Sequence, residues 1–434
     1  MTDRQRSDRT LAEALAEGTV HEIEVAWADP YGRAQGKRVP AARYQGPAAG
    51  RGFAFCDGSL AWNAVGEVQE AALLGDPAGG YPDAYAVPDP ATYRPLPWRP
   101  GAGQVIADIV DHHGEPARTS PRAVLRRVLD RLAGLGYTAR AALELEFYLL
   151  RADGSPLQDG LHAYSLELAN ELDPLLGRFT GELTGFVPVE GVLTEYGPGQ
   201  VELNLAHQEA LTAADDAFRL RYAVKELARR QGLLATFMAK PFNGHSGSSA
   251  HIHLSLWRDG TPAFAPEEGR ESKAARAAIG GLVRHLPGLT LFGAPTVNSY
   301  KRYEPGGFAP VRADWGGDDR RVAVRSLLET PAASRIELRT PAADANPYLA
   351  LAAALGAVAV GLEDGLEPPD PRDPTAALPA TLAEAVTAAR ADERLAEVLG
   401  RDAVHDHAVL AASEWQAYTS QVTGWETDRY LRHA

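Results

Sequence analysis

The chain has 434 residues, 45% hydrophobic and 23% charged, which is the make-up of a globular protein rather than a disordered or fibrous one. A net charge of −14 argues against a general basic surface for nucleic acid, and the single cysteine, Cys56, excludes an intrachain disulfide and a thiolate metal cluster. The polar start, Met1-Thr2-Asp3-Arg4, has no signal-peptide core, so a cytoplasmic protein with no membrane partner is expected.

In chain order, Leu11, Ala14 and Leu15 at helical spacing, with Gly18 as a stop, predict a short helix over 10–18. Alternation from Val20 to Trp27 predicts a strand, Asp29-Pro30-Tyr31-Gly32 a turn, and Gly36-Lys37-Arg38-Val39-Pro40 the end of a second strand. Phe53-Ala54-Phe55-Cys56 reads as a strand running into a tight turn at Asp57-Gly58-Ser59. Residues 75–103 are dense in proline and glycine, so a small β-rich domain is expected over 1–103 and a larger one over 104–434. In the larger one, Ser120 caps a helix that Pro121 opens, with Val124, Leu125, Val128, Leu129 and Leu132 as its apolar positions. Leu211–Gln231 predicts another helix. So does Ala342–Leu362, which is apolar on nearly every side and therefore belongs inside. Residues 368–379 read as a loop. Helical segments from Leu382 onward carry Trp415, Tyr418, Trp425 and Tyr430 as expected packing residues.

Four stretches share one pattern: Leu143-Glu144-Leu145-Glu146-Phe147, Val201-Glu202-Leu203-Asn204-Leu205, Ala250-His251-Ile252-His253-Leu254 and Arg335-Ile336-Glu337-Leu338-Arg339. Each alternates apolar and polar residues with period two, which puts the acids or imidazoles of a half-buried strand on one face. Singly, each is an ordinary solvated strand face. Neighbouring like charges on one face, however, destabilise a strand unless water or a cation neutralises them. Together with Glu195, these faces supply five carboxylates and two imidazoles without a thiolate, a donor set for Mg²⁺ or Mn²⁺ rather than Zn²⁺ or Cu²⁺. Two such cations suit phosphoryl chemistry. Arg302, Arg320, Arg321 and Arg325 supply the complementary charge for carboxylate or phosphate. The sequence holds no Gly-x4-Gly-Lys-Ser/Thr loop, so a bound nucleotide would rest on metals, arginines and shape.

These motifs, with Lys240-Pro241-Phe242, Pro198-Gly199-Gln200, Asn298-Ser299-Tyr300-Lys301-Arg302 and Ala345-Asn346-Pro347-Tyr348, occur in an order that resembles glutamine synthetases of the type I, bacterial branch over nearly the whole chain. The resemblance implies an α+β fold, with a small N-terminal β-grasp domain and a larger catalytic domain built on a curved antiparallel sheet and helices. It implies a homo-oligomeric ring, hexamer or dodecamer, with sites between subunits. ATP and glutamate would form a γ-glutamyl phosphate, from which an amine displaces phosphate. Carried over residue by residue, one Mg²⁺ or Mn²⁺ would be held by Glu146, Glu195 and Glu202, and a second by Glu144, His251 and Glu337. Glu190, His253 and Ser255 would lie along the ATP, and Arg325 and Arg335 would hold its phosphates. Arg320 would stabilise the transferring phosphoryl group. Gly247, Arg302 and Arg339 would bind glutamate, and Asp57 would serve the amine as a catalytic carboxylate.

Two positions depart from the family pattern. Phe308 stands where these enzymes carry a flap glutamate, and Leu60 stands where they usually carry a serine beside the ammonium pocket. Losing one anion ~4 Å from a cation removes about 4 kcal/mol of attraction at an effective dielectric near 20, before screening. Phe308 and Leu60 offer apolar surface instead, and an aromatic face also attracts an organic ammonium. In this the chain is similar to γ-glutamylpolyamine and γ-glutamylethanolamide synthetases. The expectation is a ligase of glutamate with an organic amine, with Asp57, Arg320 and Phe308 at the reacting groups. The alternatives are an ordinary ammonium-using enzyme, in which Glu304 replaces the flap acid, and a non-catalytic ring that binds glutamate or nucleotide.

Overall fold

Alternating apolar side chains build two sheets, and the polar faces of the second one gather the chemistry. The structure is a computed structural model and describes residues 10–434 except 46–47, 74–78, 159–162, 174, 305–307 and 374–375. The flap stretch Pro305-Gly306-Gly307 therefore lies outside the described residues.

The first sheet contains β1 (Glu22–Ala28), β2 (Ala34–Pro40), β3 (Phe53–Cys56), β4 (Asp83–Pro95) and β5 (Ala102–Val110), in the order β2-β1-β5-β4-β3. β1 and β5 run parallel, and the other neighbours are antiparallel. Ile23, Val25, Phe55, Val105 and Ile109 form its core, with Trp27 stacked on Phe55 at 4.4 Å between ring centroids. The expected domain boundary at residue 103 falls inside β5, which stays in this sheet to Val110. The turn after β3 is a 3-10 helix, Asp57–Ala61. Its Leu60 is 2% exposed and packs into the small core, so it offers no open wall to an amine within this chain.

The second sheet contains β6 (Thr138–Arg151), β7 (Val189–Thr194), β8 (Gln200–Leu205), β9 (Gln208–Glu209), β10 (Leu233–Thr236), β11 (Ala250–Arg258), β12 (Thr261–Pro262), β13 (Trp315–Gly316), β14 (Val324–Leu327) and β15 (Arg335–Leu338). Its main path is β13-β14-β15-β11-β6-β8-β7, with β9 and β10 on β6 and β12 on β11. All pairs are antiparallel except β13 with β14. Leu143, Leu145, Phe147, Leu203, Ile252, Leu254, Ile336 and Leu338 share one core with the helices Pro121–Gly134, Ala210–Arg230, Lys273–Gly293 and Pro347–Asp364.

The helix Pro347–Asp364 begins five residues later than its apolar run suggested. Asn346 caps it by accepting from the Tyr348 and Leu349 N–H groups, and Pro347 fixes the first turn. Its lack of a polar side follows from burial. It crosses Lys273–Gly293 so closely that a Cβ on Gly361 would stand 2.1 Å from the Ala277 carbonyl oxygen. Ser120 occupies its expected N-cap position but makes no side-chain cap bond. At the C-terminal end Trp415 leans on the core, whereas Tyr418, Trp425 and Tyr430 are exposed and do not serve as packing residues within the chain.

Candidate active site

Strand pairing turns the four period-two stretches into one polar face. β6 lies between β8 and β11, so Glu144 is flanked by Asn204 and His251, and Glu146 stands opposite Glu202. One strand further, His253 pairs with Glu337, and Glu337 with Arg325. A one-residue slip of β6 would bury both of its carboxylates among Leu and Phe side chains, so the core fixes the site's register.

Ligand atoms of Glu144, Glu202 and His251 lie within 4.8 Å of one another, as do those of Glu144, His253 and Glu337. This grouping differs from the two sets implied by the resemblance. Glu144 belongs to both trios because β11 projects His251 and His253 onto the face where β6 presents it: His251 Nδ1 lies 3.5 Å and His253 Nε2 3.1 Å from its oxygens. Glu146 is held just behind, with its Oε2 accepting from Gln200 Nε2 at 3.0 Å and from the Ser249 N–H at 2.9 Å. Glu195 follows β7 at the edge of the cluster and accepts from the Tyr196 N–H.

The electrostatics mark a face rich in negative charge. Burial, then the Glu144 and Glu146 carboxylates, push Glu202 up to about 8. Burial and Glu146 push Glu195 up to about 7. Burial also acts to raise Glu144, but hydrogen bonds from His251 and His253 hold it well below the ordinary carboxylate value. Burial opposes a charged His251, yet the Glu144 carboxylate keeps its pKa raised. Glu337, 1% exposed, is lowered against burial by His251 and Arg339, and it accepts from Arg325 Nη1 at 2.8 Å and from Arg339 Nη1. Oxygen and imidazole donors with two carboxylates held above their ordinary pKa fit hard divalent cations.

The residues expected at glutamate gather beside this cluster. Arg302, 4% exposed, donates to the Thr340 carbonyl and to Ser249 Oγ. A Cβ on Gly247 would stand 2.5 Å from Arg302 Cγ, so this backbone must remain glycine for the arginine to pass. Arg339 donates from Nε to the Arg320 carbonyl at 3.1 Å, and the Arg320 side chain is exposed. Asp57 stands apart from this face, on the small sheet's 3-10 helix.

A cavity of about 450 Å³ opens on the same sheet, lined by Glu144, Glu190, His207, His253, Ser255 and Arg335 among others. Four of the five residues expected along ATP thus share one cavity. Arg335 Nε donates to His253 Nδ1 at 3.2 Å, which leaves the proton of a neutral His253 ring on Nε2. Ser255 Oγ is 2.9 Å from His207 Nε2. The fifth, Arg325, donates to Glu337 and Asp318.

Several participants were not assigned from the sequence. Gln200, 1% exposed, donates to Glu146 and to the Gly247 carbonyl, and accepts from the Gly197 N–H. Asn204 donates to Glu202. Both share the Glu202 face by period two, so their spacing was the available signal. Tyr196 lies 5.9 Å from Phe308 between ring centroids, and Phe308 is 59% exposed. Tyr164 holds a strained φ of 61° and is pinned by its N–H to the Thr194 carbonyl. Its hydroxyl is pushed up by burial and by Glu195 and Glu202, and is opposed by Arg320. Glu304 is paired with Lys240 Nζ at 3.0 Å.

Residues 118–430 match the catalytic domain of glutamine synthetase. A glutamate–isopropylamine ligase from a Pseudomonas species is 34% identical over 92% of this chain and 92% of its own length. A γ-glutamylethanolamide synthetase from Streptomyces coelicolor is 35% identical over 96% and 93%. Among solved structures, ligand-free GmaS superposes with a TM-score of 0.87 at 33% identity, covering 97% of this chain and 99% of that one. An ADP complex of GmaS gives 0.86 at the same identity and coverage.

Proposed function

Because the chain belongs to the glutamine synthetase family, we propose that it is an ATP-dependent ligase joining the γ-carboxyl of glutamate to an organic primary amine. The observation that carries this reading is Phe308 beside Tyr196, an aromatic pair at the edge of the carboxylate cluster where ammonium-using relatives would present an acid. The amine ligases among the similar proteins support it.

In this reading Arg302 and Arg339 grip the α-carboxylate of glutamate, and Gly247 leaves room for Arg302. ATP occupies the cavity between Glu190 and Arg335, with His253 and Ser255 along it and Arg325 at its phosphates. Glu146, Glu195 and Glu202, with Glu144, His251 and Glu337, would hold Mg²⁺ or Mn²⁺, which when bound supplies positive charge to the phosphates. The γ-carboxylate oxygen attacks the terminal phosphorus and ADP leaves, while Arg320 steadies the transferring group. The amine nitrogen then attacks the acyl carbon, its proton passes to a carboxylate such as Asp57, and phosphate leaves. A cytoplasmic ring, with Asp57 completing a neighbouring subunit's site, belongs to the same reading.

Ordinary glutamine synthesis would require another acid at the flap. Glu304, the nearest alternative in sequence, is already paired with Lys240. Phosphate release from ATP and glutamate, measured with ammonium, with primary amines and with neither, tests the reading. Amine-dependent release is expected, and Phe308→Glu should shift the preference toward ammonium. An unmodified enzyme favouring ammonium over every primary amine would overturn it.

A further inference from the structure

We propose that Asp344 is a positioning residue for glutamate: it anchors the short turn that carries Arg302 and so sets where the guanidinium meets the substrate carboxylate. This rests on the reading of Arg302 as a glutamate ligand and adds a residue that acts through it. Arg302 ends the 3-10 turn Ser299–Arg302. At the start of that turn Ser299 Oγ donates to Asp344 Oδ2 at 2.8 Å, and Thr296 Oγ1 donates to the same oxygen at 2.7 Å. The two hydroxyls also accept crosswise, Ser299 Oγ from the Thr296 N–H at 3.1 Å and Thr296 Oγ1 from the Ser299 N–H at 3.2 Å. A hydroxyl has a single proton to give, and both protons go to Asp344, so the network is complete only while that carboxylate accepts.

Asp344 is itself held from both sides. Before it, the Ala342 and Ala343 N–H groups donate to the Gly293 and Ser248 carbonyls at 2.8 and 3.0 Å. After it, Arg221 Nη1 donates to the Ala345 carbonyl at 2.7 Å, and Asn346 Nδ2 donates to the Asp29 carbonyl at 2.9 Å. The carboxylate thus stands on a fixed segment to which the turn is tied. Arg302 closes the circuit by donating to Ser249 Oγ and to the Thr340 carbonyl, so Ser248-Ser249 meets both the Asp344 segment and the guanidinium. A long side chain on a base tied this way has less freedom to lose when it grips a carboxylate.

Charge supports the same assignment. Among the described residues no carboxylate forms an ion pair with Arg302, whose hydrogen bonds go to neutral acceptors. Its charge is therefore free for substrate, but at 4% exposure it is costly to bury alone. Burial raises the pKa of Asp344, whereas the Thr296 and Ser299 hydroxyls, then the Arg221 and Arg302 guanidiniums, favour its charged form. Asp344 thus supplies negative charge to Arg302 without occupying the fork that holds glutamate.

The test is titration calorimetry of the full-length protein with L-glutamate in the presence of Mg²⁺ and ADP, which needs no acceptor amine; titration with ADP alone is the control. Asp344→Ala should weaken glutamate binding by about tenfold and leave ADP binding within about twofold. Asp344→Asn, whose carbonyl still accepts from both hydroxyls, should recover most of that loss. Ser299→Ala leaves the carboxylate in place and should weaken glutamate by itself. Added to Asp344→Ala it should cost little more, because both remove the same link. Unchanged glutamate affinity in Asp344→Ala or Ser299→Ala, equal losses for glutamate and ADP, additive losses, or Asp344→Asn no better than Asp344→Ala would each overturn the inference. Should Asp344→Ala fail to fold, Ser299→Ala and Thr296→Val decide by the same glutamate-to-ADP comparison. Arg302→Ala separates the two levels. If it binds glutamate as the parent does, the glutamate role of Arg302 falls and this inference with it. A large loss there beside an unaffected Asp344→Ala removes this inference alone.

Discussion

Glu146 on β6 stands directly opposite Glu202 on β8, carboxylate facing carboxylate across an antiparallel pair. The fold would gain by separating them, yet Gln200, Asn204 and the Ser249 N–H hold them in place. Such an arrangement is stable only with a proton or a cation on the face.

The first prediction follows from that face. Burial and the neighbouring carboxylates raise Glu202 from an ordinary 4.5 to about 8, so the folded chain disfavours its charged form. The unfolded chain releases this proton near its ordinary pKa, so the Glu202 contribution to metal-free stability is lost as pH rises from about 4.5 through about 8, by up to about 1.4 kcal/mol per pH unit. Glu202→Gln should flatten this slope and abolish most of the stabilisation by Mn²⁺. Thermal melts with chelator and with Mn²⁺ across that range provide the check, and an unaltered Mn²⁺ shift in Glu202→Gln would remove Glu202 from the metal set.

A second prediction concerns Gln200, which links Glu146 to the Gly197 and Gly247 backbones. Gln200→Leu should weaken Mn²⁺ binding by about 10- to 100-fold, as expected for a residue that orients a ligand. Isothermal titration with Mn²⁺ reads this directly, alongside circular dichroism to verify the fold. Wild-type affinity would show that Glu146 needs no such support.

The third prediction addresses assembly. If Asp57 serves a neighbouring subunit, rings mixed from Asp57→Ala and Glu337→Ala chains should recover part of the activity that neither has alone. Verified mixed rings with no recovery would place Asp57 with the ligands of its own chain.

The fourth prediction is an acid limit on stability. His407 is buried beside Phe292, with rings stacked at 5.1 Å, and burial lowers its pKa from 6.5 to about 4. The folded chain keeps the neutral ring while the unfolded chain protonates it. The His407 contribution to stability is therefore constant above about pH 6.5 and is lost as pH drops toward about 4, by up to about 1.4 kcal/mol per unit. Urea melts of His407→Gln, compared with the parent between these limits, should show a shallower decline. Parallel declines would assign the acid sensitivity to other groups.

The polar faces were legible in the sequence because period two is a strand's own geometry. Glu144 with Glu146, and His251 with His253, had to share a face once each strand formed, whereas the pairing that brings those strands and Glu337 together is seen only in the structure. The helix Lys273–Gly293 was not anticipated. It is apolar nearly all round and contains Pro287, so neither amphipathic spacing nor a clean boundary marks it. The β5 strand hid the domain edge, because a strand joins whichever sheet offers a partner. Tyr164 and Tyr196 carried no periodic signal. They lie on connecting segments, and Tyr196 meets Phe308 only in the folded chain. Leu60 misled for the opposite reason: its side chain found a place in the small core.

The division between strands and connecting segments bears on how such an enzyme can diversify. Glu144, Glu146, Glu202, His251 and Glu337 sit on strands whose alternate residues are core, so nearly any shift there would cost both stability and chemistry. Tyr164, Tyr196 and Phe308 lie between those strands, where replacement disturbs little packing. On the proposed reading, a lineage could exchange one amine for another by altering exposed rings such as Phe308 while the strand-borne carboxylates stay in place.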